Sequence, residues 1–259
     1  MTITKRLNLF LIPLFIGFCL YNQPIAKAGS ILIWPIDPVI EDDQNATALW
    51  LENKDSKPAY MQIRVLEWQQ LNGENQYQKQ NDIAVSPPFV LIEPGKRQLV
   101  RLIKNTQVPA NQERAYRILI DEAPRAKQAD EPDDSKNVSI GVKFQMRYSV
   151  PLFVSGSGVW TNPDYTKNRD IKTATAPKLS YRLTNQNGQP SIEIRNEGIV
   201  HARLSQLSTQ SGTTLVNGLL GYVLPGTTIN LPLPGNINSG NKLQALINNN
   251  PDPVPLIRH

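Results

Sequence analysis

The side chains that most often carry enzyme chemistry are scarce in this chain. Its only histidines are His201, inside a strand-like pattern, and His259 at the C-terminus, and its only cysteine is Cys19. A Ser-His-Asp arrangement would depend on one of those two imidazoles. No G-x-S-x-G, H-E-x-x-H, P-loop or G-x-G-x-x-G pattern occurs, so the common hydrolase and nucleotide chemistries lack their signatures. The acidic groups Glu41-Asp42-Asp43 and Asp130 to Asp134 lack the alternate spacing and central glycine of a calcium loop and read as solvated turns. The densest basic group is Lys96, Arg97, Arg101 and Lys104. On a strand it divides between two faces, and no aromatic residues interleave with it, which argues against nucleic acid as a partner. Neither catalysis nor a cofactor is expected.

The pattern that does stand out belongs to backbone rather than to side-chain chemistry. Val138 to Val154 reads VSIGVKFQMRYSVPLFV. Val138, Ile140, Val142, Phe144, Met146, Tyr148 and Val150 alternate with Ser139, Gly141, Lys143, Gln145, Arg147 and Ser149, the period of a strand. Thirteen such residues would span about 43 Å, longer than a typical globular strand. A long apolar strand with a free edge invites another chain, so leaving one implies a partner.

The first 28 residues stand apart from any fold. Lys5 and Arg6 precede an apolar run from Leu7 to Leu20, and Ala26-Lys27-Ala28 is a small-x-small site. This is the layout of a secretory signal peptide, too short for a membrane anchor, with Gly29 as the expected start of the exported chain. Removing it takes away Lys5, Arg6, Lys27 and Cys19 but no acid, so the formal charge falls from +5 to +2. An exported protein without cysteine has no disulfide and must rely on burying core. No second long apolar run exists, so stable membrane insertion is not expected.

The elements around the long strand are all β. Ser30 to Ile40 carries Pro35 and Pro38 and so belongs at a sheet edge. Strands are expected at Asn45 to Asn53, Tyr60 to Trp68, Phe89 to Ile92, Lys96 to Lys104 and Arg114 to Asp121, with a tight turn at Asn72-Gly73. Glu122 to Asn137 has little to bury and reads as a loop. Ser155-Gly156-Ser157-Gly158 is the best boundary, giving residues 29–154 and 155–259 as two β-sandwiches. Turns at Asn187-Gly188 and Pro225-Gly226 punctuate the second.

Taken in order, Ser86-Pro87-Pro88, Glu93 to Leu102 (EPGKRQLVRL), Glu113 to Arg117 (ERAYR), Glu122-Ala123-Pro124 and the long strand give the chain a resemblance to the periplasmic chaperones of chaperone-usher pilus assembly. Their spacing matches the first domain of that family. The second domain matches by size and by Leu183-Thr184-Asn185 and Leu224-Pro225-Gly226. The resemblance implies two immunoglobulin-like domains set in an L, and partners that are pilus subunits and an outer-membrane usher. It also implies the act of strand lending, in which main-chain bonds give affinity and alternate side chains enter pockets. Val138, Ile140, Val142 and Phe144 would be the lent side chains, together contributing roughly 6 to 12 kcal/mol before ordering costs.

The family anchors the subunit's C-terminal carboxylate between its domains with two basic side chains. Here the first strand, Trp34 to Pro38, has no arginine, and the usual lysine position is Ser149. Arg147, on the same face, and Arg117, on the neighbouring strand, are the candidates, since guanidinium groups grip carboxylates with two prongs. These departures resemble the archaic, Csu-like branch, which is associated with biofilm pili. Pro87, Pro88 and Arg101 match the patch that meets the usher. An adhesin or ligand-binding module of similar sandwiches is the alternative, and it would keep its long strand paired internally.

Overall fold

The computed structural model describes residues 31–123, 145–161, 166–233, 240–248 and 250–259. The leader sequence and the four expected lent residues, Val138, Ile140, Val142 and Phe144, lie outside these, as does residue 124 onward of the expected loop.

The first half is built from β1 (Ile31–Trp34), β2 (Val39–Ile40), β3 (Ala46–Asn53), β4 (Ala59–Leu71), β5 (Glu74–Gln78), β6 (Ile83–Ser86), β7 (Phe89–Ile92), β8 (Arg97–Lys104), β9 (Glu113–Glu122) and β10 (Arg147–Ser155). One sheet has the order β1-β3-β8-β6. The other runs β2-β10-β9-β4-β5, with β7 also paired to β4. The segment with two prolines lies at sheet edges, as expected, but it divides between the two sheets: β1 edges one and β2 the other, with Pro35 and Pro38 between them. Alternate residues, among them Leu49, Leu51, Ile63, Val100, Leu102, Ile118, Ile120, Val150 and Leu152, close the core between the sheets. Burial of about 25 cal/mol per Å² of apolar surface, with no disulfide available, is what holds it.

The second half contains β11 (Leu179–Gln186), β12 (Gln189–Asn196), β13 (Ala202–Thr209), β14 (Thr214–Val223), β15 (Thr228–Pro232), β16 (Leu243–Ile247), β17 (Val254–Pro255) and β18 (Ile257–Arg258). Its sheets are β15-β12-β11-β18 and β14-β13-β16-β17, closed over Tyr181, Ile192, Ile194, Leu204, Leu207 and Leu243. The fold is thus all-β, two immunoglobulin-like sandwiches. Among the described residues no helix is long and apolar enough to cross a membrane.

A third apolar cluster, Trp68, Ala115, Phe153 and Leu224, joins the halves. Beside it, Gln70 on β4 reaches across to Tyr222 and Leu224. Glu113 faces His201. The connector between β10 and β11 folds back, so that Lys167 and Arg169 both pair with the buried Glu41 after β2.

Candidate functional site

The expected start of the long strand, Val138 to Phe144, lies outside the described residues. Among the described residues it begins at Arg147, not earlier, and Gln145 and Met146 carry no strand pairing. Its neighbour β9 ends at Glu122, whose N–H donates to the Met146 carbonyl at 3.0 Å. From Arg147 to Ser155 the antiparallel register with β9 is unbroken.

The other margin of β10 is the informative one. There β2 pairs in parallel, but only with Phe153 and Val154. From Arg147 to Leu152 that margin has no strand partner among the described residues. Its side chains are nevertheless fixed: Val150, Leu152 and Val154 enter the core, Tyr148 packs against it, and the Tyr148 hydroxyl accepts from the Ile31 N–H at 3.1 Å. A rigid strand with unpaired backbone groups is a template for another strand.

Arg147, Ser149, Pro151 and Phe153 point to the opposite face, along with Arg117, Leu119 and Asp121 of β9 by register. Arg117 stands opposite Pro151, beside the junction of the two sandwiches. Its guanidinium carbon lies 3.9 Å from the centre of the Trp68 ring and 5.7 Å from that of Tyr222. The two rings meet edge to face at 5.6 Å. Arg117 Nε is buried with no hydrogen-bond partner among the described residues. Burial pushes the Arg117 pKa down, and the Tyr77 and Tyr222 phenols oppose that shift. Arginine keeps its charge in proteins, so what stands here is a partly desolvated cation held against two rings. A carboxylate is the chemical group that such a guanidinium recognises through its terminal N–H groups.

Arg147 is placed otherwise. It pairs with Asp121, which also holds Arg64 at 2.6 Å. Four residues of strand, about 13 Å, separate it from the level of Arg117, so the two arginines share a face but do not converge. Pro87, Pro88 and Arg101 are all exposed, and Arg101 lies on β8 as the register partner of Ser86, in the sheet opposite the one that carries Arg117. Pro87 and Pro88 cross from β6 to β7, which pairs with β4, and the Pro88 carbonyl accepts from the Ile63 N–H of β4 at 2.8 Å.

Trp68, Tyr222 and Gln70 escaped sequence reasoning because they come together only when β4 and β14 meet. His201, read as an isolated imidazole, is packed: it is 4% exposed, with Nδ1 at 3.0 Å from each oxygen of Glu113. No group of three metal-binding side chains occurs among the described residues.

Comparison with known proteins agrees with this geometry. The family model described as pili and flagellar-assembly chaperone, PapD N-terminal domain, matches residues 38–159. Among solved structures, the chaperone of the CsuC–CsuE chaperone-tip adhesion subunit pre-assembly complex, from archaic chaperone-usher Csu pili of Acinetobacter baumannii, is 31% identical. That match covers 89% of this chain and 99% of that one, with a TM-score of 0.70. The SafB chaperone of Salmonella enterica, solved with the SafA pilin, is 16% identical over 86% of this chain and 91% of its own, TM-score 0.58. The E. coli chaperone DraB is 18% identical over 85% and 91%, TM-score 0.56. These last two share the fold. No curated protein sequence matches significantly. By the first of these relatives and by its first sandwich, the chain belongs to the family of pili and flagellar-assembly chaperones, with its likeness to the archaic, Csu-type branch.

Proposed function

We propose that this chain is a non-enzymatic periplasmic chaperone that caps unfinished pilus subunits by lending them a strand and hands them to an outer-membrane usher. The observation that carries the reading is the margin of β10 from Arg147 to Leu152, which has no strand partner among the described residues while the other margin is fully paired. An adhesin would have kept that strand paired on both sides. The alternation of β10 continues in the sequence through Phe144, Val142, Ile140 and Val138, in step with the core-facing Tyr148, Val150 and Leu152. A subunit strand added to the margin therefore meets main-chain bonds along β10 and four further apolar side chains in sequence before it.

Arg117 is the proposed anchor for the subunit's terminal carboxylate, and Arg147 a second basic contact further along the guest. Pro87 and Pro88, at the crossing from β6 to β7, and Arg101 on β8 stay free for the usher while a subunit is held. Residues 1–28 are the export signal, 29–154 the lending sandwich and 155–259 its companion. The test is co-expression with the small pilin-like proteins encoded beside an usher, followed by purification on a chaperone tag. Ile140→Asp and Val142→Asp are expected to lose the subunit from the soluble complex; a complex that persists in both variants rejects strand lending.

A further inference from the structure

Gln70 is 8% exposed and uses its whole amide. Nε2 donates to the Tyr222 carbonyl at 2.8 Å and to Asn75 Oδ1 at 3.1 Å. Oε1 accepts from the Leu224 N–H at 2.8 Å and faces the Thr227 hydroxyl at 2.7 Å. The orientation of the amide is thereby fixed, since nitrogen meets two acceptors and oxygen two donors. Three of the four contacts cross from the first sandwich to the second. The fourth matters equally, because the same Asn75 oxygen accepts from Trp68 Nε1 at 2.8 Å.

Both rings around Arg117 are therefore tied to one side chain. Tyr222 is held through its own carbonyl, and Trp68 through Asn75. Nothing in the strand ladders does this, because β4 and β14 belong to different sheets in different sandwiches. A cation flanked by two rings keeps its direction only while the rings keep theirs, and a guanidinium aimed at a carboxylate is sensitive to direction.

We propose that Gln70 is the positioning residue of the carboxylate site: it sets Trp68 and Tyr222 around Arg117, so that the second sandwich takes part in recognising the end of the guest chain. This rests on reading Arg117 as the anchor. Gln70 does not touch the guest. It acts through the two rings.

The test uses the 15N-labelled exported chain and a minimal probe, N-acetyl-glycyl-phenylalanine as free acid and as amide, followed at the Arg117 Nε–H signal. That signal is assigned by its loss in Arg117→Lys. In the parent chain the free acid is expected to shift the signal saturably and the amide at least tenfold more weakly. Gln70→Glu keeps the shape and loses both donors; Gln70→Leu loses all four contacts. Each is expected to reduce the acid-over-amide preference at least fivefold while the signals of the β1-β3-β8-β6 sheet stay in place. Tyr222→Leu, which leaves Gln70 untouched, is expected to do the same, and it decides the matter should both Gln70 variants unfold. If the parent shows no preference for the acid, the anchor reading falls and the proposal with it. If the parent prefers the acid and the folded Gln70 or Tyr222 variants prefer it equally, the anchor stands and the positioning role is overturned.

Discussion

His201 lies flat on Phe153, with ring centroids 3.4 Å apart and planes 2° from parallel. The contact joins the end of β10 to the residue before β13, and Glu113 completes it with its oxygens on the His201 ring and backbone nitrogens. The Glu113 side chain has no exposed surface. Taking one member away leaves the other's buried polar atoms without a partner, which costs about 1 to 3 kcal/mol. His201→Ala is expected to lower the unfolding free energy by that order, and with it the denaturant midpoint, and Glu113→Gln by less, because an amide oxygen still accepts from the His201 N–H. A midpoint equal to the parent's in His201→Ala would refute this.

Arg117 makes the opposite case, a side chain kept against the interest of stability. Its buried Nε has no hydrogen-bond partner among the described residues, and an unsatisfied buried donor costs about 1 to 3 kcal/mol. Arg117→Leu is expected to leave thermal stability unchanged or raised while complexes with subunit disappear. Loss of stability together with retained capture would reverse the assignment.

Asp121 gives the acid limb of the stability curve a local cause. Burial alone would raise its pKa, but the hydrogen bonds from Arg147 and Arg64 outweigh it and hold the carboxyl below its ordinary value. A depressed carboxyl adds stability above the unfolded pKa, about 4 for aspartate, and loses it as pH falls through the folded value. Asp121→Asn should thus be less stable than the parent at pH 7, with the gap narrowing below about pH 4. A gap that widens on acidification would contradict the sign.

Gly156 is expected to tolerate no side chain. A Cβ there would stand 1.9 Å from the Pro109 carbonyl oxygen, and backbone cannot step aside cheaply. Overpacking of this kind costs about 1 to 3 kcal/mol, and Gly156→Ala should reach the upper end in equilibrium unfolding. Gly212→Ala, in open space although at a positive φ of 97°, should cost less.

That glycine also marks where sequence reading stops. Ser155-Gly156-Ser157-Gly158 has the composition of a loose linker, yet Ser155 and Gly156 are buried, the Gly156 N–H donates to Gln112, and the exposed Ser157 is tied through its carbonyl, which accepts from Asn111. Composition reports what a residue permits, not what surrounds it. Where residue type alone dictates geometry, the reading succeeded: Asn72-Gly73 and Asn187-Gly188 turn with φ of 54° and 83°, and 52° and 81°. Period-two alternation likewise gave most strands, because one buried face imposes it. The two-residue strands β2, β17 and β18 carry too little pattern to be seen. Arg117 was named only through the family resemblance, as a candidate partner for a carboxylate, and its aromatic neighbours were not legible at all, since residues 68, 117 and 222 meet only in three dimensions.

The brief parallel contact of β2 has a metrical consequence. It occupies the margin of β10 at Phe153 and Val154 only, so a visiting strand runs out of free backbone at Leu152, beside the level of Pro151 and hence of Arg117. On the proposed reading of Arg117 as the anchor, β2 is a buffer stop: a guest pushed home would halt with its last residue at that cation, and its alignment along β10 would be counted from that end.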